Sequence, residues 1–188
     1  MPPEKISERE LMLALTDLFR EQGFEGATLS MISAATGLKR ASLYHRFPGG
    51  KQDIALAVTE FTELEFVEVL APLSESGDIR ARVRKVARNL GDYYDDGMRS
   101  CLVGSLSVGK DADGRDIIAE RIAGIMEAFI SSFERVARES GASAKEARLR
   151  AEDAVVRFEG SLVVARSTGN TRAFKRWQKD LPAILTGR

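Results

Sequence analysis

Apolar residues recur along this chain at the three- and four-residue spacing of helix faces, and no stretch alternates at period two. Ser7 and Glu10 form an S-x-x-E capping box ahead of Leu11, Leu15, Leu18 and Phe19, which share one stripe, and Gly23 ends that helix. Thr28 is a good N-cap for a short second helix carrying Leu29 and Ile32, and Gly37 supplies the positive φ of a tight exit. Lys39 to Phe47 repeats the helical pattern, with Leu43 and Phe47 four apart on one face.

From Lys51 to Ala71 the positions Ile54, Ala57, Val58, Phe61, Leu64 and Val67 predict a long fourth helix that Pro72 closes. A polar linker over 73–77 follows, then a stripe of Ile79, Val83, Val86, Ala87, Leu90 and Tyr94 that Gly97 stops. Cys101 to Gly109 is short and apolar, suiting a buried turn of helix or a core-lining loop, and a loop covers 109–114. Ile118, Ile122, Ile125, Phe129, Phe133 and Val136, widened by Met126 and Ile130, predict a helix buried on more than one side. Ser143 and Glu146 open a long helix to about Thr168, and Asn170 can cap a last one with Phe174, Trp177 and Leu181, bent near Pro182. The expectation is an all-α protein of about nine helices. Its first three would make a small helix-turn-helix domain over 1–51, and 52–188 a larger helical domain.

Composition narrows the classes. With 188 residues, 44% hydrophobic and 30% charged, the chain can bury a core. Lys+Arg 28 balances Asp+Glu 28, so any affinity for nucleic acid must be local rather than that of a polycation. One cysteine excludes an internal disulfide, the start MPPEKISERE lacks an apolar signal core, and no run is long enough to cross a bilayer, so the cytoplasm is the default compartment. Residues 1–6, with two prolines, read as a loose arm.

Charge becomes informative around the glycine turn. Between Gly26 and Gln52 there is no acidic residue, whereas Lys39, Arg40, Arg46 and Lys51 are basic. On a helical wheel Ala41, Ser42, Tyr44 and His45 point away from the Leu43/Phe47 seam, with Lys39 and Arg40 at the leading end. Such a helix suits the major groove, where Arg reads guanine edges while hydroxyls and Lys hold phosphate.

Residues Leu11 to Ile54, with LFREQGFEGAT, the turn glycine, SLYHRF and the following lysine in order, resemble the N-terminal domain of TetR/AcrR-family transcriptional regulators. The added glycine of FPGGK and the later CLVGSLSVG are similar to the LmrA/YxaF-like branch. The resemblance implies base or phosphate contacts from Arg40, Ala41, Ser42, Tyr44, His45 and Lys51, beside Lys39, with Thr28 offering a phosphate its hydroxyl and backbone N–H. It also implies a ligand cavity in the larger domain, for which Phe61, Phe66, Met98, Leu102, Leu106, Met126, Phe129 and Phe158 are candidate walls, and a homodimer through the last two helices. Small residues Gly160, Ser161 and Ala165 beside Phe158, Leu162 and Val163 would let another helix approach. Val155, Phe158, Gly160, Leu162, Val163, Phe174, Trp177 and Leu181 are the candidate dimer residues.

The function expected is a sequence-specific DNA-binding regulator, a repressor released from a palindromic operator by an apolar or amphipathic small molecule. No cofactor is called for, and the single His45 leaves no histidine-built metal site or catalytic relay. Gly49-Gly50-Lys51 lacks the strand, the spaced first glycine and the Ser/Thr of a nucleotide-binding loop. Two other readings compete. A small helical enzyme would use Cys101 or an acidic pair and need a polar pocket with a base near the nucleophile; a helical ligand-binding protein without a DNA role would leave the acid-free window unexplained.

Overall fold

The structure, a computed structural model, describes residues 6–106 and 117–187. Residues 1–5 of the expected arm over 1–6, and the loop over 109–114, lie outside those residues. The described residues form nine α-helices and no strand: α1 (Glu8–Gly26), α2 (Leu29–Thr36), α3 (Arg40–Arg46), α4 (Lys51–Leu70), α5 (Ile79–Tyr93), α6 (Leu102–Leu106), α7 (Ile117–Glu139), α8 (Ala144–Thr168) and α9 (Arg172–Thr186). The chain packs as two compact units, one of Met1–Leu64 with Leu102–Ile122, the other of Glu65–Cys101 with Ala123–Arg188. The helix α4 starts in the first and ends in the second.

In the first unit, α1 starts at the expected box: Ser7 Oγ accepts from the Glu10 amide (3.3 Å), and the Glu10 carboxylate accepts from the Ser7 amide (2.9 Å). The Ser7 hydroxyl, donating to the same carboxylate (2.5 Å), and then the Ser7 amide hold the Glu10 carboxyl below its ordinary pKa. The helix breaks at Gly23 (φ 65°), as expected, although one further turn carries it to Gly26. Leu11, Leu15 and Phe19 are buried with Ile32, Leu43, Ile54 and Val58. The short α6 packs against α1, and Ser105 Oγ donates to the Arg20 carbonyl (3.0 Å). Burial of Leu102, Val103 and Leu106 makes the apolar CLVGSL run core rather than surface.

The second unit is built on aromatic packing. Phe158 of α8 lies 5.6 Å from Phe129, 4.9 Å from Trp177 and 6.1 Å from Phe174, ring centre to ring centre. Trp177 satisfies its indole N–H on the Ala154 carbonyl (2.9 Å), and Gln178 ties α9 to α5 through the Ala87 carbonyl (2.7 Å). The predicted α7 stripe is buried throughout, with Ile118 and Ile122 in the first unit and Ile125, Phe129, Phe133 and Val136 in the second.

Several local expectations are corrected. The distal α4 stripe is wrong: Leu64 (69% exposed) and Val67 (61%) face outward, and Thr62 and Phe66 are buried instead. Thr62 and Phe66 continue the face of Ile54, Ala55, Val58 and Thr59, whereas steps of three from Val58 to Phe61, Leu64 and Val67 drift round the helix to its opposite side. The linker is not loose, since Ala71–Ser74 is a 3-10 turn with Pro72 and Leu73 buried. The carbonyls of Leu73 and Glu75 accept from the buried Arg82 guanidinium (3.0 and 2.6 Å), whose other arm meets Glu139 (2.5 Å). Gly97 does not end α5. The helix stops at Tyr93, and Asp95 and Asp96 then adopt positive φ ahead of Gly97 (φ 99°). At Ser143 only half the capping box forms: Ser143 Oγ accepts from the Glu146 amide, while the Glu146 carboxylate turns to Arg150 (2.9 Å). Asn170 does act at the α9 start, accepting from the Arg172 amide (2.9 Å) one residue ahead of the expected cap geometry.

Candidate nucleic-acid interface

The α2–turn–α3 geometry follows from three local rules. Thr28 Oγ1 accepts from the Met31 amide (3.2 Å), capping α2 and leaving its hydroxyl hydrogen available to donate. Gly37 takes the left-handed conformation (φ 69°, ψ 1°) that stops α2 after eight residues. Ser33 Oγ then donates to the Leu38 carbonyl (2.5 Å), and the Leu38 amide donates to Thr36 Oγ1 (3.3 Å), which fixes the chain between the helices. The seven residues of α3 are pinned by Leu43 and, at the exit, Phe47, both buried.

That pinning leaves Lys39, Arg40, Ala41, Ser42, Tyr44 and His45 exposed on one side. Arg40 carries one fixed contact, its Nη2 donating to Ser30 Oγ of α2 at 3.0 Å. The exposed cation at the other end, Arg46, is held by Glu8 of α1 and lies over the Phe47 ring. Lys51 is half-buried: its ammonium stands 4.5 Å from the centre of the Phe24 ring and 3.5 Å from the Glu25 carbonyl. The glycine before Lys51, Gly50, takes the left-handed conformation (φ 67°). Asp53 folds back over the same turn to accept from the Gly49 amide (2.6 Å).

The other candidate residues scatter. Phe66, Phe129 and Phe158, with the half-buried Met126, belong to the second unit, where Phe66 stands edge-on to Phe129 at 4.9 Å. Met98 is in the same unit but 41% exposed. Phe61, Leu102 and Leu106 are in the first unit. Of the candidate dimer residues, Val155, Phe158, Leu162, Phe174, Trp177 and Leu181 are buried in the chain's own core, because α8 and α9 spend their widest apolar faces on each other and on α5 and α7. Gly160 and Val163 do lie at the surface, with Val156 (70% exposed) and Val164 as apolar neighbours that periodicity did not single out. Beside them a groove of about 490 Å3 runs between α8 and α9, walled by Gly160, Val164, Ala173 and Ile184 and rimmed by Arg157, Arg176 and Asp180.

A polar cluster in the second unit was also missed. Tyr94 donates towards Cys101 Sγ (3.9 Å), and burial pushes the Glu159 carboxyl up, partly opposed by a hydrogen bond from the Cys101 thiol. One oxygen of Glu159 is buried without a hydrogen-bond partner. The available signal was the acid at 159, directly after the core Phe158 on its helix. Among the described residues no group of acidic, histidine or cysteine side chains could hold a metal ion, and no helix is long and apolar enough to cross a membrane.

Residues 11–58 match the family described as bacterial regulatory proteins, tetR family. Over 186 residues the chain is 25% identical to the HTH-type transcriptional regulator LmrA of Bacillus subtilis, covering 95% of this chain and 96% of that protein. Its fold is similar to that of a TetR transcriptional regulator from Legionella pneumophila (TM-score 0.82, 18% identity, 95% and 97% of the two chains). It is also similar to that of CifR, a TetR-family regulator solved as a cysteine mutant with 26-bp double-strand operator DNA (TM-score 0.76, 18% identity, 97% of each). The glycine-turned helix pair, the matched N-terminal segment and the full-length likeness to LmrA agree: over residues 11–58 the chain carries the N-terminal domain of the tetR family of bacterial regulatory proteins.

Proposed function

We propose that this regulator is a homodimeric repressor that reads a palindromic operator through α3 and lets go when its larger domain takes up an apolar or amphipathic small molecule. The observation that carries the DNA half is the exposed run of Lys39, Arg40, Ala41, Ser42, Tyr44 and His45 on a helix locked from behind by Leu43 and Phe47, in a window without acids. In this reading Arg40 reads a base edge, and Ser42, Tyr44, His45 and Lys39 hold phosphate, with Ala41 offering its methyl to thymine. Thr28 donates its free hydroxyl hydrogen to a phosphate. Lys51 contributes by leaving its seat on Phe24 for the backbone.

Residues 1–51 act as the DNA-binding domain and 52–188 as the effector and dimerisation domain, working in the cytoplasm. Two copies are needed because a palindrome presents its half-sites in successive major grooves. The surface that suits the pairing is the outward face of α8 with Val156, Gly160, Val163 and Val164, next to the α9 groove. An effector packed among Phe66, Met126, Phe129 and Phe158 acts through α4, whose start carries the DNA domain. It must bind the DNA-incompetent state more tightly than the competent one.

The test is fluorescence anisotropy of labelled DNA from the gene's own neighbourhood, with wild type and Arg40→Ala at two salt concentrations. Salt-sensitive binding to one fragment, weakened about tenfold or more by the substitution, is the expected result. Identical operator affinity for the two proteins would overturn the assignment of α3 as the reading helix.

A further inference from the structure

Arg40 faces a difficulty shared by every exposed arginine. A guanidinium on a mobile stem loses rotamer freedom when it docks, and its planar fork discriminates bases only when the plane is correctly turned. Leu43 and Phe47 fix α3 but not the Arg40 side chain, which begins at the first residue of that helix. The contact that does fix it comes from ten residues earlier: Arg40 Nη2 donates to Ser30 Oγ at 3.0 Å. Ser30 is exposed in the first turn of α2, just after the Thr28 cap, so its hydroxyl is carried by a helix that Thr28 starts and Gly37 ends.

We infer that Ser30 is a positioning residue for base reading, holding the Arg40 guanidinium in the plane it uses on DNA. The inference rests on the reading of Arg40 given above. One N–H of Nη2 is spent on Ser30. The remaining four donors of the fork stay available, including the Nη1 pair that can serve a guanine edge. Arg40 then approaches the groove with part of its ordering already done, and discrimination is gained without another base contact.

The experiment compares base preference, not affinity alone. Operator variants carrying each single base-pair change compete against the labelled operator for wild type, Ser30→Ala, Ser30→Thr and Arg40→Ala, with random DNA titrated in parallel. Arg40→Ala should flatten preference at one or two base pairs of each half-site. Ser30→Ala should reduce preference about three- to fivefold at those same base pairs, leave random-DNA binding unchanged, and be rescued by Ser30→Thr, which keeps the hydroxyl. Altered preference at other base pairs would mean that Ser30 reads a base itself. An equal loss on every sequence would make it a phosphate contact, and an unchanged profile a bystander; each overturns the inference. Failure of Arg40→Ala to alter any preference is a separate result, and it overturns the reading of Arg40.

Discussion

At the scale of single residues, two glycines in left-handed conformations should respond very differently to the same substitution. Gly37 (φ 69°) has open space where a Cβ would go, so Gly37→Ala pays only for the backbone region, about 1 kcal/mol. Gly97 (φ 99°) faces Phe174, whose Cβ and Cγ would lie 2.8 Å from an added Cβ, and Phe174 is fully buried and has nowhere to go. Gly97→Ala should cost about 3 kcal/mol or more, read from urea unfolding of both variants. Equal losses would mean that the turn after α5 relaxes away from α9. Of the two, only Gly37 keeps the role that its sequence position predicts. Its role is local, whereas that of Gly97 depends on a phenylalanine 77 residues further along the chain.

Between elements, the α7–α8 pair is joined by charge on its outer side. Arg148 forks onto both oxygens of Glu127 (2.5 and 2.8 Å) and reaches Glu152 with Nε (2.6 Å). The Arg148 hydrogen bonds pull the Glu127 carboxyl from its ordinary 4.5 down to about 2, against some desolvation. A depressed carboxylate contributes stability that is complete above its unfolded value and lost as pH falls towards the folded one. Glu127→Gln should therefore unfold at lower urea than wild type at pH 6, with the gap closing between about pH 4.5 and 2. A gap of constant size from pH 6 to pH 3 would show that the substitution acts through packing. Helical spacing places Glu127 and Arg148 on exposed faces, but which helices become neighbours is not a property of either stripe.

For the whole molecule the decisive quantity is the number of copies. Val163 is 60% exposed on α8 beside Gly160, and an acid there would be desolvated against another copy while costing the monomer little. Val163→Glu should convert a dimer to monomers in sedimentation equilibrium, keep its helical circular dichroism, and lower operator affinity about tenfold or more, because two half-sites no longer act together. Unchanged mass would move the interface elsewhere, whereas monomers that keep full operator affinity would remove the need for a dimer.

Local chemistry alone decided where most helices begin and stop: the Ser7 box, the Thr28 cap and the Gly37 exit need only neighbours in sequence, and so did the fold class. Exposure of Lys39 to His45 along α3 was legible for the same reason, since the Leu43/Phe47 seam determines by 100° steps which side chains point outward. Tertiary structure decided the rest, because burial depends on partners distant in the chain. It turned Leu64 and Val67 outward and took Phe158, Trp177 and Leu181 into the chain's own core. It also seated Lys51 on Phe24 and brought Ser30 to Arg40 across the turn. An apolar stripe records that a helix has something to bury; only the packed chain determines against what.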